Sequence, residues 1–459
     1  MNKAALAAAA AVVLSGCSLA PDYQRPSAPV AAAWPEAGTE AGLEASALDW
    51  RTFFQDPRLQ GLIAAAIQHN RDLRIAIARV EEARSLYGIA RADYLPNVAL
   101  GASRTASLTP ADLSLTGQRM TTQRFDVDLA VASFELDFWG RVRNLTDAAR
   151  ASYLATDEAQ RAFRLSLIAD VANAYFTLIE LQERSALARE TATGRGELRE
   201  LIAKRREVGL VGDLDYLAAD GALQNALADF ASLERERAAA ANALALLVGQ
   251  SSAELPVGRR LSEQGVVADL AVGLPAEVLV RRPDVLAAEQ RLIAANANIG
   301  AARAAFLPRI GLTGTFGTAS EALSGLFRAG SEAWSFQPVL SLPLFDFGRT
   351  AANVDLAEAR KIIAIADYEK TIQQAFREVA DLLVARQRLV EQLAAQEAGE
   401  MTLSERLKIT DARYRAGIAS YLEVLDAQRD LFAAQQGVVQ TRRAWLSAAA
   451  QLYKALGGG

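Results

Sequence analysis

The chain has 459 residues, 51% of them hydrophobic, and a net charge of −5, enough length for a large core or two internal repeats and too little positive charge for a nucleic-acid partner. One cysteine, Cys17, excludes an internal disulfide framework, and one histidine, His69, argues against a histidine-based metal site. No run of about twenty apolar residues lies beyond the N-terminus, so any bilayer crossing falls to strands in a closed barrel.

Residues 1–16 read as a signal peptide, with Lys3 as the positive start and Ala4 to Leu14 as the apolar core. The segment ends in Leu14-Ser15-Gly16-Cys17, which resembles the lipobox of bacterial lipoproteins. That resemblance implies cleavage before Cys17 and a covalent lipid on it; several acyl chains anchor stably where one does not. Ser18, in place of an aspartate, implies delivery to the outer membrane. The competing reading is a plain secretory signal. Residues 17–58 follow as a lipidated N-terminal tether. Pro21, Pro26, Pro29 and Pro35 make it extended and coreless.

Residues 59–248 form a first repeat. Leu59 to Arg91 has helical periodicity, and Leu95-Pro96 ends it. Two strands follow, at about 97–105 and about 124–138, around a polar tip at Pro110 to Gln123. Val98, Leu100 and Ala102 alternate with small or polar residues; Phe125, Val127, Leu129 and Val131 alternate with Asp126 and Asp128 on the other side. The apolar parity changes at Phe134, which predicts a bulge near Ser133. Two inward aspartates suit a wet lumen. A proline-free helix runs from Arg141 to Lys204, about 90 Å at 1.5 Å per residue, weakened by Gly194 and Gly196. Gly209 fits a left-handed cap, and Asp213 is expected to cap the next helix, to Val248.

Residues 249–273 have loop composition and join the halves. Residues 274–459 then repeat the pattern. RAAFLP at Arg303 follows RADYLP at Arg91 by 212 residues; Gly348-Arg349, Val379-Ala380, Arg413 and Gly417 follow Gly140-Arg141, Val171-Ala172, Arg205 and Gly209 by 208. Strands are expected at about 308–318 and about 335–347, then a long helix from Thr350 to Arg413. A capping box at Ser420 to Glu423 starts the last helix. Each repeat thus holds helices of about 33, 64 and 36 residues, so the two shorter ones, stacked, span the longer at about 1.5 Å per residue. Four strands cannot close a transmembrane barrel, which starts at eight, so the chain must oligomerise as two, three or four copies.

LSGC with APDYQRP, LVRRPDVLAAEQRL (Leu279 to Leu292), NANIGAARAAFLP, SGLF, LSLPLFDFG, RYRAGIASYLEVLDAQRDLF and the terminal LYKALGGG resemble the outer-membrane factors of tripartite efflux pumps. The likeness is to the OprM-like lipoprotein branch of the TolC superfamily and covers essentially the whole mature chain. It implies a mixed α and β membrane protein: a homotrimer with a twelve-stranded outer-membrane β-barrel continued by a periplasmic α-helical barrel. It also implies a periplasmic membrane-fusion adaptor and an inner-membrane transporter of the resistance-nodulation-division (RND) class. The duct would be a passive exit for multidrug efflux, lipid-anchored in the outer membrane of a Gram-negative bacterium.

By the same resemblance the periplasmic gate lies at Tyr421 to Asp426. Leu422 and Asp426, four apart, share a helix face, and three copies would place a leucine constriction beside an anionic ring. Arg413 and Arg415 are candidate salt-bridge partners. Val208, Gly209, Leu210, Ala416, Gly417 and Ile418 are the helix turns expected to dock the adaptor. Arg281-Arg282-Pro283-Asp284 reads as structural, opening a helix. No Walker loop, dinucleotide fingerprint or metalloprotease pattern occurs, so neither catalysis nor a cofactor other than the Cys17 lipid is expected. Alternatives are a metal-cation efflux or type I secretion channel of the same architecture, and a coiled-coil periplasmic spacer without a pore.

Overall fold

The computed structural model describes residues 18–34, 43–44, 48–249, 259–266, 270–271 and 275–458. The signal peptide and Cys17 lie outside the described residues. Two compact units are built from interleaved chain segments: one from residues up to 27, 79–157 and 287–368, the other from 28–78, 158–286 and 369–459.

The first unit holds the strands β1 (Val98–Thr109), β2 (Met120–Glu135), β3 (Arg309–Ser320) and β4 (Glu332–Ser341). They form one antiparallel sheet in the order β1-β2-β3-β4. The two repeats therefore meet at the β2–β3 seam. The bulge falls where the parity change predicts it, between Val131 and Phe134. Strand bounds differ from expectation. β1 reaches Thr109 because Ser107 and Thr122 still pair through their hydroxyls at 2.8 Å. β2 starts at Met120 and ends at Glu135, short of 138. β4 stops at Ser341 instead of 347, where its ladder reaches Arg309, the first residue of β3.

Both repeats also contribute helices. The first holds α1 (Pro57–His69), α2 (Arg71–Ala92), α3 (Arg141–Glu207) and α4 (Asp213–Val248). The second holds α5 (Pro283–Ala304), α6 (Arg349–Arg415) and α7 (Tyr421–Ala455). α3 and α6 are uninterrupted at 67 residues each, about 100 Å at 1.5 Å per residue, and α3 passes through Gly194 and Gly196 without a break. One window of α3 is apolar enough to cross a membrane, but half of it is buried. Leu167, Ile168, Val171, Ala172, Tyr175 and Phe176 there belong to the main core of the second unit.

The single helix expected over Leu59 to Arg91 is two, broken at the extended, buried Asn70. Asn70 Oδ1 accepts from Leu73 N (2.8 Å), capping α2, while Nδ2 donates to Leu247 O (2.9 Å) near the end of α4. The second repeat has the same joint in different chemistry. Arg282, 212 residues after Asn70, is buried and donates through Nη1 to Ala455 O (2.7 Å), 208 residues after Leu247. Its other nitrogens hold Asp284 and Glu378 (2.8 and 2.9 Å). One buried side chain per repeat thus holds a carbonyl near the end of the last helix, Asn70 in the first and Arg282 of the RRPD segment in the second.

The tether expectation needs one correction. Residues 48–58 are core and not tether: Trp50, Phe53 and Phe54 are buried, Phe53 stacks on Tyr453 at 4.6 Å, and Tyr453 Oη donates to Leu48 O (2.7 Å). Asp56 caps α1 and accepts from Tyr175 Oη at 2.8 Å. Within the first unit, residues 18–25 are pinned by polar contacts: Arg25 pairs with buried Glu289 at 2.7 Å, and Tyr23 Oη donates to the same carboxylate at 3.0 Å. The joining segment also docks: Leu261 is buried, its N–H donates to Glu183 (2.7 Å), and Leu43–Glu44 pairs in parallel with Leu270–Ala271.

Gly317 sits opposite Asp128, and a Cβ there would overlap Val127 O and the Asp128 backbone, whereas one at Gly311 meets nothing nearer than 3.9 Å. Gly317→Val is expected to abolish the β2–β3 seam and Gly311→Ala to be tolerated, read as loss and retention of the folded species in outer-membrane fractions by heat-dependent gel mobility.

Candidate functional site

The sheet registers side chains of both repeats into rows across all four strands. Leu100, Leu129, Phe316 and Trp334 are directly opposite one another, as are Val98, Val131, Gly314 and Phe336. Period-two alternation puts these rows on one face. The opposite face carries Ala99, Ala130, Thr315 and Ser335 in one row, and Gly101, Asp128, Gly317 and Ala333 in the next. One face is therefore apolar and bulky, the other small and polar. Four paired strands with a one-sided apolar surface are a segment of a barrel whose apolar face meets lipid and whose polar face lines water. The outer edges of β1 and β4 have no strand partner among the described residues. In hydrocarbon such edges are costly, so each needs another strand.

The aspartates that marked a wet lumen sit in this polar face. Asp126 accepts from Arg124 Nε at 2.7 Å. Together with Thr105, Ser107, Gln123 and Glu321 they line a shallow polar concavity of about 730 Å³.

The helix turns form the second part of the site. After α3, Gly209 takes φ 76°, and Leu210 N donates to Arg205 O (2.8 Å). After α6, Gly417 takes φ 77°, and Ile418 N donates to Arg413 O (2.9 Å). Both are glycine-terminated six-to-one caps, as the repeat spacing implied. Val208, Leu210 and Ile418 point apolar side chains outward, each about 70% exposed. Gly209, Ala416 and Gly417 are exposed beside them. Exposed apolar groups gathered on turns suit a partner surface.

The turns differ in how the next helix begins. α7 starts with the full capping box: Ser420 Oγ accepts from Glu423 N, and Glu423 Oε1 accepts from Ser420 N (2.9 Å). The Ser420 N–H first, and then the Ser420 hydroxyl, which also donates to Glu423 Oε1 at 3.1 Å, hold the Glu423 carboxyl below its usual range. α4 starts at Gly212, with no side-chain cap. Asp213 is not the cap that was expected; it is the first helical residue and pairs with Arg206 at 2.6 Å.

Leu422 is exposed, while Tyr421, Val424 and Ala427 on the other side of α7 are buried. Asp426, one turn on, is half-buried. Within the chain its carboxylate pairs with Arg429 at 3.3 Å, not with Arg413 or Arg415; Arg415 pairs instead with Asp411 at 2.8 Å. Arg413 lies near enough to Glu423 to help hold that carboxyl low.

Sequence reasoning missed the ring of arginine–tyrosine contacts around these turns. Arg205 lies 5.3 Å over the Tyr414 ring and donates to its hydroxyl at 3.2 Å. Arg199 donates to Tyr216 Oη at 2.6 Å and pairs with Asp220 at 3.2 Å, and Arg206 lies 4.9 Å over Tyr216. Tyr414 and Tyr421 pack with Ile202, Ala219 and Val424 into a small core, and burial pushes the Tyr421 hydroxyl up to about 12. These contacts join α3 and α4 to α6 and α7. The visible signal was arginine clustering before each turn glycine, with tyrosines at 216, 414 and 421.

A family model described as outer membrane efflux protein matches residues 62–250 and 274–458. The chain is 44% identical to the outer membrane protein OprJ of Pseudomonas aeruginosa, over 98% of this chain and 94% of that one. It is 45% identical to the toluene efflux pump outer membrane protein TtgF of Pseudomonas putida, over 99% and 96%. Among solved structures, a membrane protein from Pseudomonas aeruginosa superposes with a TM-score of 0.90 at 43% identity, covering 96% of this chain and 100% of that one. The open state of the MtrE outer membrane channel of Neisseria gonorrhoeae superposes at 0.88 with 38% identity, covering 96% and 98%.

Ser420→Ala removes one side of the capping box, at about 1 kcal/mol. Hydrogen exchange at the amides of Leu422 to Val424 is expected to quicken about five-fold, since ~1 kcal/mol is that factor, with the amides of the α4 start unchanged.

Proposed function

This chain belongs to the outer membrane efflux protein family, and from that premise we propose how its parts divide the work. It is the outer-membrane channel component of an efflux pump, sited in the outer membrane and extending into the periplasm. The observation that carries the reading is the register of the sheet: four alternating strands, one apolar face, one polar face and two open edges. β1 and β4 run in opposite senses, so β4 of one copy can extend the antiparallel ladder of the next. Three copies close a twelve-stranded barrel. The homotrimer continues as a barrel of helices, and Cys17 carries the lipid anchor.

The channel passes substrates that a periplasmic adaptor and an inner-membrane RND transporter deliver; it supplies no energy of its own. Val208, Gly209, Leu210, Ala416, Gly417 and Ile418 dock the adaptor, supported by the apolar side chains they expose. Leu422 and Asp426 form the gate. The support is the asymmetry of the two turns. Leu214, 208 residues before Leu422, is also exposed, but Ala218 stands where Asp426 stands in the second repeat. The second repeat sets Leu422 and Asp426 four residues apart on a helix fixed by a capping box, which the first repeat's helix lacks. In the trimer, Arg413, Arg415 and Arg429 are the cations near enough in sequence to offset the Asp426 ring. Relatives named for toluene and antibiotic efflux support small apolar and drug-like cargo. A poreless spacer does not explain an apolar sheet face aligned row by row across four strands.

Single-channel conductance in planar bilayers tests this. The wild type is expected to be small or silent, and Leu422→Ala with Asp426→Ala to conduct severalfold more. No conductance from either folded protein would return the spacer reading; equal conductance from both would remove the gate assignment alone.

A further inference from the structure

The two hairpins are equivalent rung by rung. Val98 stands opposite Val131 in the first, and Ile310 opposite Leu340 in the second. β1 therefore maps onto β3 at 212 residues, and the paired stretch of β2 maps onto β4 at 209. The strand-to-helix corners match as well. Trp139 and Phe347, 208 residues apart, each precede a left-handed glycine, Gly140 at φ 70° and Gly348 at φ 86°. Phe347 itself is held at φ 54°, a costly region for a residue with a side chain.

One seam already joins the two hairpins. Across β2–β3, Val131 is opposite Gly314. Beyond the bulge, Trp139 Nε1 donates to Pro308 O at 2.8 Å, at the corner that leads into β3. The outer edge of β4 carries the counterparts of β2, and the outer edge of β1 the counterparts of β3, yet neither edge has a strand partner among the described residues. The difference shows in exposure. Leu307 and Pro308, beside Trp139, are half-buried, while Leu95 and Pro96, at the matching corner before β1, are exposed. Phe347 is fully exposed, against 36% for Trp139.

We infer that a second copy of this chain completes that seam in a register set by the β2–β3 contact. Replacing Val131 by Leu340 and Gly314 by Ala102 sets Leu340 opposite Ala102 of the next copy. Replacing Trp139 by Phe347 and the Leu307-Pro308 corner by Leu95-Pro96 seats Phe347 on that corner of the next copy. Phe347 lies seven residues after Leu340, and Leu95 seven before Ala102, so both ends of the seam give one register. The β2–β3 ladder reaches both ends through its bulge between Val131 and Phe134; the seam between copies reaches them without a bulge, because the offset shortens from 209 to 208 over the matching stretch. Sidedness is kept. On the apolar face Trp334 and Phe336 meet Leu108 and Ala106, and on the polar face Ser335 and Gln337 meet Ser107 and Thr105. Thr105 takes the place of Gly317, so the close approach of that rung to the strand backbone is not copied. This seam rests on the trimeric barrel proposed above and fixes how its copies interlock.

Paired cysteines test it in the full-length, lipidated protein assembled in outer membranes. Directly opposite antiparallel residues have Cα atoms about 4.5–5.5 Å apart, within disulfide reach, and diagonal ones about 7–8 Å, beyond it. Within one chain β1 and β4 stand three strand spacings apart, roughly 14 Å, so a disulfide between them joins two copies. Oxidised Ser335→Cys with Ser107→Cys is expected to run as a covalent trimer on denaturing gels, as is Phe336→Cys with Ala106→Cys. Ser335→Cys with Thr105→Cys, or with Thr109→Cys, is expected to stay unlinked, like the parent protein with Cys17 alone. Preferential linking of a diagonal pair overturns the proposal. So does the absence of linking in both opposite pairs when native mass spectrometry finds the preparation trimeric. A folded preparation that is not trimeric overturns the barrel reading, and this seam with it.

Discussion

A β-sheet cannot end inside a bilayer. Every backbone N–H and C=O in hydrocarbon needs a partner, and the four-stranded sheet has two open edges among the described residues. That deficit governs the rest. It forces identical copies to share one ladder, it sets the repeats side by side in the sheet through the β2–β3 seam, and it requires side-chain rows that agree across strands from both repeats. Gly317 shows how tight the seam is: no side chain fits between it and the Asp128 backbone.

Away from the sheet, the same duplicated plan is held by different chemistry. Each repeat breaks its first helix beside a carbonyl near the end of its last one. The first repeat closes the joint with a neutral amide, Asn70, and the second with a guanidinium, Arg282, that also gathers Asp284 and Glu378. Duplication fixed the backbone geometry and left the side chains free to diverge so long as the buried carbonyl kept its donor. The helix turns diverged further. Both end in a left-handed glycine, yet only the second is followed by a capping box, and Ala218 stands in the first where Asp426 stands in the second.

Much of this was legible from residue order alone. The offsets of 212 and 208 residues located the repeat. Period-two alternation located the strands, and the parity change at Phe134 located the bulge. Helix starts and stops that depend on local chemistry, at Gly209, Gly417 and Ser420, were readable because a cap is made by residues within four of one another. Where an end depends on something distant, local reading failed. The break at Asn70 depends on Leu247, and the burial of Trp50 and Phe53 depends on Tyr453 and its neighbours; neither is visible in a tether that is mostly proline and alanine.

The sequence by itself thus determined the duplicated plan, the strand–helix alternation, the sidedness of the strands and the shortage of strands, because periodicity and caps are short-range properties of the chain. Only the tertiary structure decided three further things. It decided which side chains share a row across the sheet, since register couples residues about two hundred apart. It decided that within one chain Asp426 pairs with Arg429, since an ion pair follows distance in space and the helix presents Arg429 one turn away. It decided that Asn144 and Asn296, remote in sequence, are buried with half of each amide unmade. Burial and unmet hydrogen bonds are properties of a packed arrangement, so no pattern of residues along the chain can carry them.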